Sequence, residues 1–356
     1  MNTKAARHSD PVANELDPDK IAQILRQSGH VPGLRGDMLS VLSTKGISHD
    51  HWRVGDSGLV LRIPRMNQWG LNAADALIYQ AAAFDRAAAS GHVPKCRAVI
   101  DPSDAFPRGA LLVDGVEGRP PALPDDLPAI AEALAAIHAL PIPAADELEP
   151  LQVHRNPVGA ALLVIEEQAI FLPRAGLADA AEASIVEDLE WAREFAGRGE
   201  PDFPQSLVCT DAHPGNFLID AQGKAWFVDL EKALYGAVPI DLAHVTLLTS
   251  TGWDPDCTGD LTSLEVKRFY QQYLNLVGRQ RADELRPWLL PMRRLTWLRT
   301  ITWFVRWKVQ WSSADHTAMR NTRMAGHING HIAQCFEPNV VAATRRDWLA
   351  PNSLTN

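Results

Sequence analysis

The chain has 356 residues, 46% apolar and 22% charged, enough for a full hydrophobic core and about two domains at roughly 150 residues each. Its 34 Lys+Arg against 43 Asp+Glu give a formal charge of −9, an unfavourable balance for a nucleic-acid partner. No stretch approaches the ~18 apolar residues of a membrane helix, the polar start lacks a secretory apolar core, and four scattered cysteines fit neither a CxxC metal site nor a disulfide framework, so a cytoplasmic protein is expected. Residues 1–16 read as a disordered tail, after which Asp17-Pro18-Asp19 opens a short helix with Ile21, Ile24 and Leu25, closed near Gly29. From Met38 to Ile63 the text reads as two strands joined by a tight Gly55-Asp56-Ser57-Gly58 turn, and Pro64 stops the second. Asn72 caps a helix through Leu77, Ala81, Phe84 and Ala88 to Gly91, and strands follow at 96–100 and 109–113. A Gly/Pro-punctuated run, 114–121, marks the boundary between two lobes. Beyond it, Asp125 or Asp126 caps a helix with a buried face of Ile130, Leu134 and Ile137, and further helices cover 157–171 and 179–196. Short strands return at 206–210, 217–220 and 224–230, the last two joined at Ala221-Gln222-Gly223, and helices occupy 264–311. The expected architecture is α+β: a tail and short helix over 1–35, a small β-rich lobe over 36–115, a hinge over 116–122, a larger mainly helical lobe over 123–345, and a tail over 346–356.

The chemistry concentrates in Cys209-Thr210-Asp211-Ala212-His213-Pro214-Gly215-Asn216 and the following Asp229-Leu230-Glu231. Phosphoryl transfer needs a carboxylate beside the attacking hydroxyl, and an amide with a second carboxylate to hold Mg²⁺ on the nucleotide phosphates. In the protein-kinase catalytic loop the base Asp stands five residues before the metal-binding Asn, the spacing of Asp211 and Asn216. Pro214 and Gly215 bend the loop so both side chains face one point, and the hairpin returns Asp229 to the same neighbourhood.

These residues resemble the aminoglycoside phosphotransferase and choline kinase superfamily, whose usual loop HGDLHPGN is CTDAHPGN here. EALAAIHALP at 132–141 is similar to the family's helix after the hinge, GISHDHWRV at 46–54 to its phosphate-covering loop, and LVLRIPR at 59–65 to its strand with the nucleotide-contacting basic residue. The resemblance implies a bilobal protein-kinase-like fold, ATP and Mg²⁺ as cofactors, and a small-molecule hydroxyl as acceptor, with no nucleic acid, no membrane and an unspecified oligomeric state. It implies Asp211 as the base, and Asn216 and Asp229 as metal ligands. Gly46, Ser48, Arg62 and Gln80 would lie with the nucleotide, and Val113, Asp114 and Val116 would meet the adenine at the hinge. Asp241 and His213 would support the loop, while Glu231 would assist the metal or a substrate amine. Three positions depart from the family: Cys209 for the loop His, Arg62 for the usual Lys, and Gln80 for the Glu that pairs with it.

Neither GxxxxGK[ST] nor GxGxxG occurs, which excludes Walker-type and Rossmann nucleotide sites. His327 and His331 are four apart with His316 nearby, but without HExxH or paired cysteines they read as packing or surface residues. Of the 11 Trp, Trp288, Trp297, Trp303, Trp307 and Trp311 crowd into 24 residues: Trp297 shares an apolar arc with Leu298, Ile301, Val305 and Val309, Trp303, Trp307 and Trp311 fall on an adjoining arc, and Arg299, Arg306 and Gln310 form a polar strip. A largely buried helix and an aromatic wall for a cationic acceptor, with Trp303 and Trp307 as contacts, both fit this pattern. Ten Lys/Arg against three Asp/Glu over 265–311 disfavour a cation, so an anionic or neutral acceptor stays open. A kinase-like module that binds ATP without turning it over is the second reading, motivated by Gln80 and Cys209.

Overall fold

In the computed structural model, which describes residues 16–42, 48–66, 69–104, 106–199, 203–257, 259–311 and 322–350, helix α1 (Pro18–Gln27) starts where the Asp17 carboxylate accepts the Asp19 N–H at 2.9 Å. Strands β1 (Leu39–Val41), β2 (His49–Val54) and β3 (Leu59–Pro64) follow, then α2 (Ala73–Ala88), β4 (Cys96–Ile100) and β5 (Ala110–Asp114). They form one antiparallel five-stranded sheet in the order β1-β2-β3-β5-β4. The four-residue turn closing β2 on β3 holds Gly55 at φ +51 and Gly58 at φ +71, a conformation that excludes most side chains and pins Val54 opposite Leu59. That register sorts the faces. Trp52, Val54, Leu61 and Ile63 pack with Ile21 and Leu25 of α1, while His49, His51, Val60 and Arg62 line the cleft. Asn72 caps α2 by accepting the Asp75 N–H, as expected.

The hinge is held at both ends. Gly115 donates its N–H to Gly58 O at 2.7 Å, and Arg119 exchanges two backbone hydrogen bonds with Ile219 at 2.9 and 2.8 Å. A Cβ on Gly118 would sit 2.8 Å from Ile219 O, so this approach requires glycine.

The second lobe opens with α3 (Leu127–His138). Asp126 occupies its N-cap position, but its carboxylate turns back to the Ala122 N–H and to Arg119 instead of bonding into the helix. Then come α4 (Pro157–Ala169), α5 (Asp179–Ala196), β6 (Gln205–Val208), β7 (Phe217–Ile219), β8 (Ala225–Phe227) and β9 (Leu234–Ala237). The β7–β8 hairpin matches expectation, although β8 ends at Phe227 rather than 230, where its partner strand gives way to the Pro214–Asn216 turn. A second pairing, β6 with β9, was not expected: LYGA is too short and too uniformly buried to show an alternating pattern.

The remaining helices are α6 (Pro239–Thr246), α7 (Leu248–Thr251), α8 (Ser263–Leu276), α9 (Arg279–Trp311), α10 (Thr322–Cys335) and α11 (Pro338–Leu349). Thr262 and Glu265 form a capping box on α8, and Gly278 at φ +79 separates α8 from α9. Helix α11 runs through 346, where a tail was expected. Asp347 pairs with Arg293, Trp348 packs on Trp297 at a ring separation of 5.4 Å, and Arg345 joins Arg294 on the buried Asp188. These contacts hold the last turns of α11 against the lobe. The fold is the bilobal, protein-kinase-like α+β arrangement, and no helix among the described residues is long and apolar enough to cross a membrane.

Candidate active site

The catalytic loop hangs from one buried carboxylate. Asp241, fully buried near the start of α6, accepts the N–H groups of Cys209 and Thr210 at 2.7 Å each, and a third hydrogen bond from His138 Nε2 at 3.0 Å. His138 in turn accepts from the Tyr273 hydroxyl at 2.8 Å. Thr210 has φ +57, a left-handed conformation costly for a β-branched residue, and its hydroxyl donates to Lys232 O at 2.6 Å. The bonds to Asp241 and Lys232 hold that strain immediately before Asp211.

From Asp211 the chain makes one tight turn over Pro214–Asn216, with the Asn216 N–H on His213 O at 2.9 Å. The Asn216 side-chain amide donates to Asp211 O at 2.9 Å, leaving its oxygen as the side chain's acceptor. A Cβ on Gly215 would meet the Asp254 Cβ at 2.4 Å, so the loop and the segment after α7 are in close apposition. Asp229 follows β8 and faces the same cavity as Asp211 and Asn216.

Each carboxylate has its own electrostatic setting. Lys232 Nζ lies 2.7 Å from Asp211 Oδ2. Burial works to raise the Asp211 carboxyl, but Lys232 overcomes it and holds the group well below the ordinary carboxylate range. Arg62, only 4% exposed, reaches across the cleft to donate to Val228 O at 2.6 Å and to Asp229 Oδ1 at 2.9 Å. Burial also opposes ionisation of Asp229, and Arg62 with His49 reverses the effect and lowers it. Glu231 behaves differently: burial first, then the neighbouring Asp229 charge, pushes it up to about 7.

Gln80 does not meet Arg62, as had been expected. It accepts from His49 Nε2 at 3.0 Å behind the cleft wall, and Arg62 takes Asp229 as its anionic partner. Burial, then Arg62, pushes His49 down to about 4, so the ring facing this cluster is neutral near pH 7.

The cleft is a single cavity of about 620 Å³. On the side of the five-stranded sheet and the hinge its walls include Ser48, Val60, Val113, Asp114, Val116 and Leu218. The Asp114 carboxylate is committed to Arg97 at 2.6 and 2.9 Å, which leaves this hinge position to its backbone. Gly46 lies outside the described residues. Toward the other end are His213, His244, Trp253, Arg299, Trp303 and Trp307. Trp303 and Trp307 sit 5.1 Å apart, and Trp253 meets Trp303 edge-on at 5.5 Å. Trp297 is 1% exposed in the core, so α9 is both a buried helix and an aromatic wall.

Arg299 had been grouped with Arg306 and Gln310. Those two bond to each other at 2.9 Å on the exposed face, whereas Arg299 turns into the cavity. His327 and His331 hydrogen-bond the carbonyls of Gly252 and Thr249, at 2.9 and 3.3 Å, and are packing residues, while His316 and the Trp311 side chain lie outside the described residues.

Sequence reasoning passed over Lys232, although it directly follows the D-x-E run. It also passed over His49 and His51, which strand alternation puts on the Arg62 face of the sheet. His244 and Trp253 carry no motif. The donors near Asp229 suit a hard divalent cation: the Asn216 amide oxygen, the Asp229 carboxylate, and a group of His49, Asp229 and Glu231 whose ligand atoms lie within 4.8 Å of one another.

Solved phosphotransferase and kinase structures share the fold of this chain. A choline/ethanolamine kinase family protein from Mesorhizobium loti superposes with a TM-score of 0.56 at 19% identity, covering 92% of this chain and 98% of that one. A spectinomycin phosphotransferase solved with ADP and spectinomycin gives 0.59 at 11% identity, covering 92% and 98%. A choline kinase from Cryptosporidium parvum gives 0.57 at 12%, covering 91% and 95%. At these identities the likeness is one of fold. No curated protein sequence matches the chain. The sequence model of the phosphotransferase enzyme family matches residues 42–288, well over half of the chain, and the chain belongs to that family.

Proposed function

We propose that the protein transfers the γ-phosphoryl group of ATP to a hydroxyl of a small molecule. The observation that carries this reading is the convergence of Asp211, Asn216 and Asp229 on one cavity that also reaches the hinge at Val113–Val116. The adenine would rest against the hinge backbone, under the 36–115 lobe, with Ser48 on the side of the phosphates. Asn216 and Asp229 would hold Mg²⁺, which when bound screens the negative charge of the phosphates.

Asp211 is the base in this proposal. Its Oδ2 is held by Lys232, so the carboxylate stays ionised and oriented while its other oxygen receives the acceptor hydroxyl. As the acceptor oxygen bonds to the γ-phosphorus, the bond to the bridging oxygen breaks, ADP leaves with the electron pair, and the hydroxyl proton passes to Asp211. Arg62 secures Asp229 from the sheet, and Asp241 with His213 supports the loop. Glu231, carrying a pKa near 7, sits beside the metal ligands as a group that can gain or lose a proton there. All four cysteines are free thiols, which suits a cytoplasmic enzyme.

The test is an ATP-consumption screen over amino alcohols, aminoglycosides, sugars and hydroxy acids, with products identified by mass spectrometry. An active acceptor, and loss of at least about 1,000-fold in kcat for Asp211→Asn with ADP affinity retained, is the expected result. An Asp211→Asn variant as active as the wild type would refute the assignment of the base. ATP binding without transfer across the whole panel would favour the ATP-binding module instead.

A further inference from the structure

Among the described residues, the acceptor end of the cavity carries one cation with no hydrogen-bond or ion-pair partner. Residues 265–311 hold ten Lys/Arg, and the fold disposes of half of them on partners elsewhere: Arg293 on Asp347, Arg294 on Asp188, Arg281 on Glu284 and Ser206, and Arg279 and Arg286 on Asp283. Arg299 is the member of that group lining the cavity. Among the described residues its guanidinium makes no hydrogen bond or ion pair, and the carboxylate whose field reaches it is Asp211, already neutralised by Lys232 at 2.7 Å. Asp254, the other acid on this side, lies against Gly215 on the catalytic loop.

Two further polar groups stand open near Arg299. His244 Nε2 and Thr249 Oγ1, on side chains 8% and 4% exposed, have no hydrogen-bond partner, although both residues line the cavity. His244 is fixed through Nδ1 on Ser250 Oγ at 3.0 Å. Leaving a buried imidazole nitrogen and a buried hydroxyl unpaired is costly unless a ligand completes them, and the half-buried Arg299 guanidinium opens onto the same cavity. Around them the walls are Trp253, Trp303, Phe304, Trp307 and Met324, which offer ring faces and an apolar side chain to a flat or aliphatic body.

Resting on the phosphotransferase reading above, we propose that the acceptor is a hydroxy acid: its carboxylate is bound by Arg299 with His244 and Thr249, its apolar body lies on the tryptophan wall, and its hydroxyl is presented to Asp211. The planar guanidinium fork matches a carboxylate in a two-bond geometry. A monoanion fits better than a phosphate ester, since one guanidinium offsets one charge and a second negative charge would stand beside the γ-phosphate. A quaternary ammonium would put like charge against Arg299 and gain only the tryptophans.

The experiment uses the full chain with ADP and Mg²⁺, reading tryptophan fluorescence during titration with phenyllactate, mandelate and hydroxybutyrate, their methyl esters, and choline. At least one acid should bind about 100-fold more tightly than its ester. Arg299→Gln should erase that difference while leaving ADP affinity unchanged, which also certifies its fold, and Arg299→Lys should restore part of it. In turnover, Arg299→Gln should raise the acceptor KM and leave the ATP KM within about two-fold. Esters or choline binding as well as every acid, or a discrimination unaltered in Arg299→Gln, would overturn the inference. A rise in the ATP KM alone would overturn it too, by assigning Arg299 to the nucleotide. Transfer to amino alcohols but to no hydroxy acid would defeat this inference and leave the phosphotransferase reading intact. Arg299-dependent binding of acids with no transfer to any acceptor would defeat that reading and leave the anion site standing.

Discussion

Replacing Asp241 by Asn tests whether the catalytic loop depends on its buried anchor. The carboxylate offers two oxygens to three donors, the N–H groups of Cys209 and Thr210 at 2.7 Å and His138 Nε2 at 3.0 Å. An amide offers one oxygen and two hydrogens, so at least one buried N–H faces another donor. Stranding that group costs about 1–3 kcal/mol, and turning a remaining charge-assisted bond into a neutral one costs about 1 kcal/mol more, for a loss of about 2–4 kcal/mol in stability. Urea unfolding should show it as a lower midpoint at unchanged slope. The kinetic effect follows from Thr210. Its φ of +57 is held by the bond to Asp241, and relaxation of that residue moves Asp211 directly. A displacement of about 1 Å costs about 100-fold in rate, so kcat should fall by that factor while the ATP KM, if the nucleotide binds at the hinge as proposed, stays within about two-fold. A variant with lowered stability but wild-type kcat would show that Asp211 is positioned without Asp241 and refute the reasoning.

Removing the Lys232 ammonium, as in Lys232→Met, leaves burial of Asp211 opposed only by the weaker fields of His213 and His244 and raises its pKa, so the acid limb of kcat/KM should move to higher pH. The same shift has a stability counterpart of fixed sign. The depressed wild-type carboxyl contributes stability that is present above the unfolded pKa of about 3.9 and is lost as pH falls through the lower folded value. Lys232→Met should therefore flatten the acid side of the pH–stability curve, and an unchanged acid limb in a pH–rate profile would exclude the pairing. For Gly215→Ala, the new methyl would meet the Asp254 Cβ at 2.4 Å, and the strain of about 1–3 kcal/mol should lower both the melting temperature and kcat. A thermal melt matching the wild type would show that the two segments separate freely.

The catalytic loop was legible because its chemistry fixes a spacing: Asp211 and Asn216 must be five apart to face one point, and that survives without knowledge of the fold. The sheet was legible through its punctuation, with glycines at 55 and 58 and Pro64 marking the hairpin ends. What failed to show were pairings set by distance in space. Gln80 and Arg62 look like partners in sequence, yet His49, on the same sheet face as Arg62, captures the amide, and Asp229 captures the guanidinium from 167 residues away. Arg299 shares a helix strip with Arg306, but a helix passing from solvent into a cavity gives equal residues unequal surroundings. Strand β9 is four residues with no alternation, visible only through its partner β6.

The buried Asp188 carries a consequence for how the chain is made. Its carboxylate is compensated by Arg294, 106 residues further on, and by Arg345, 157 residues further on. During synthesis Asp188 therefore emerges long before either guanidinium, and burying it then would cost several kcal/mol. Helices α4 and α5 reach their final dry packing only after α9 and α11 have left the ribosome. The strand pairings of the five-stranded sheet need no residue beyond Asp114, and the backbone bonds of the hinge none beyond Ile219, although Arg62 awaits Val228 and Asp229. On this reasoning the five-stranded sheet can form early and the helical lobe is sealed last, with the stretch around residue 345 as its closing clasp.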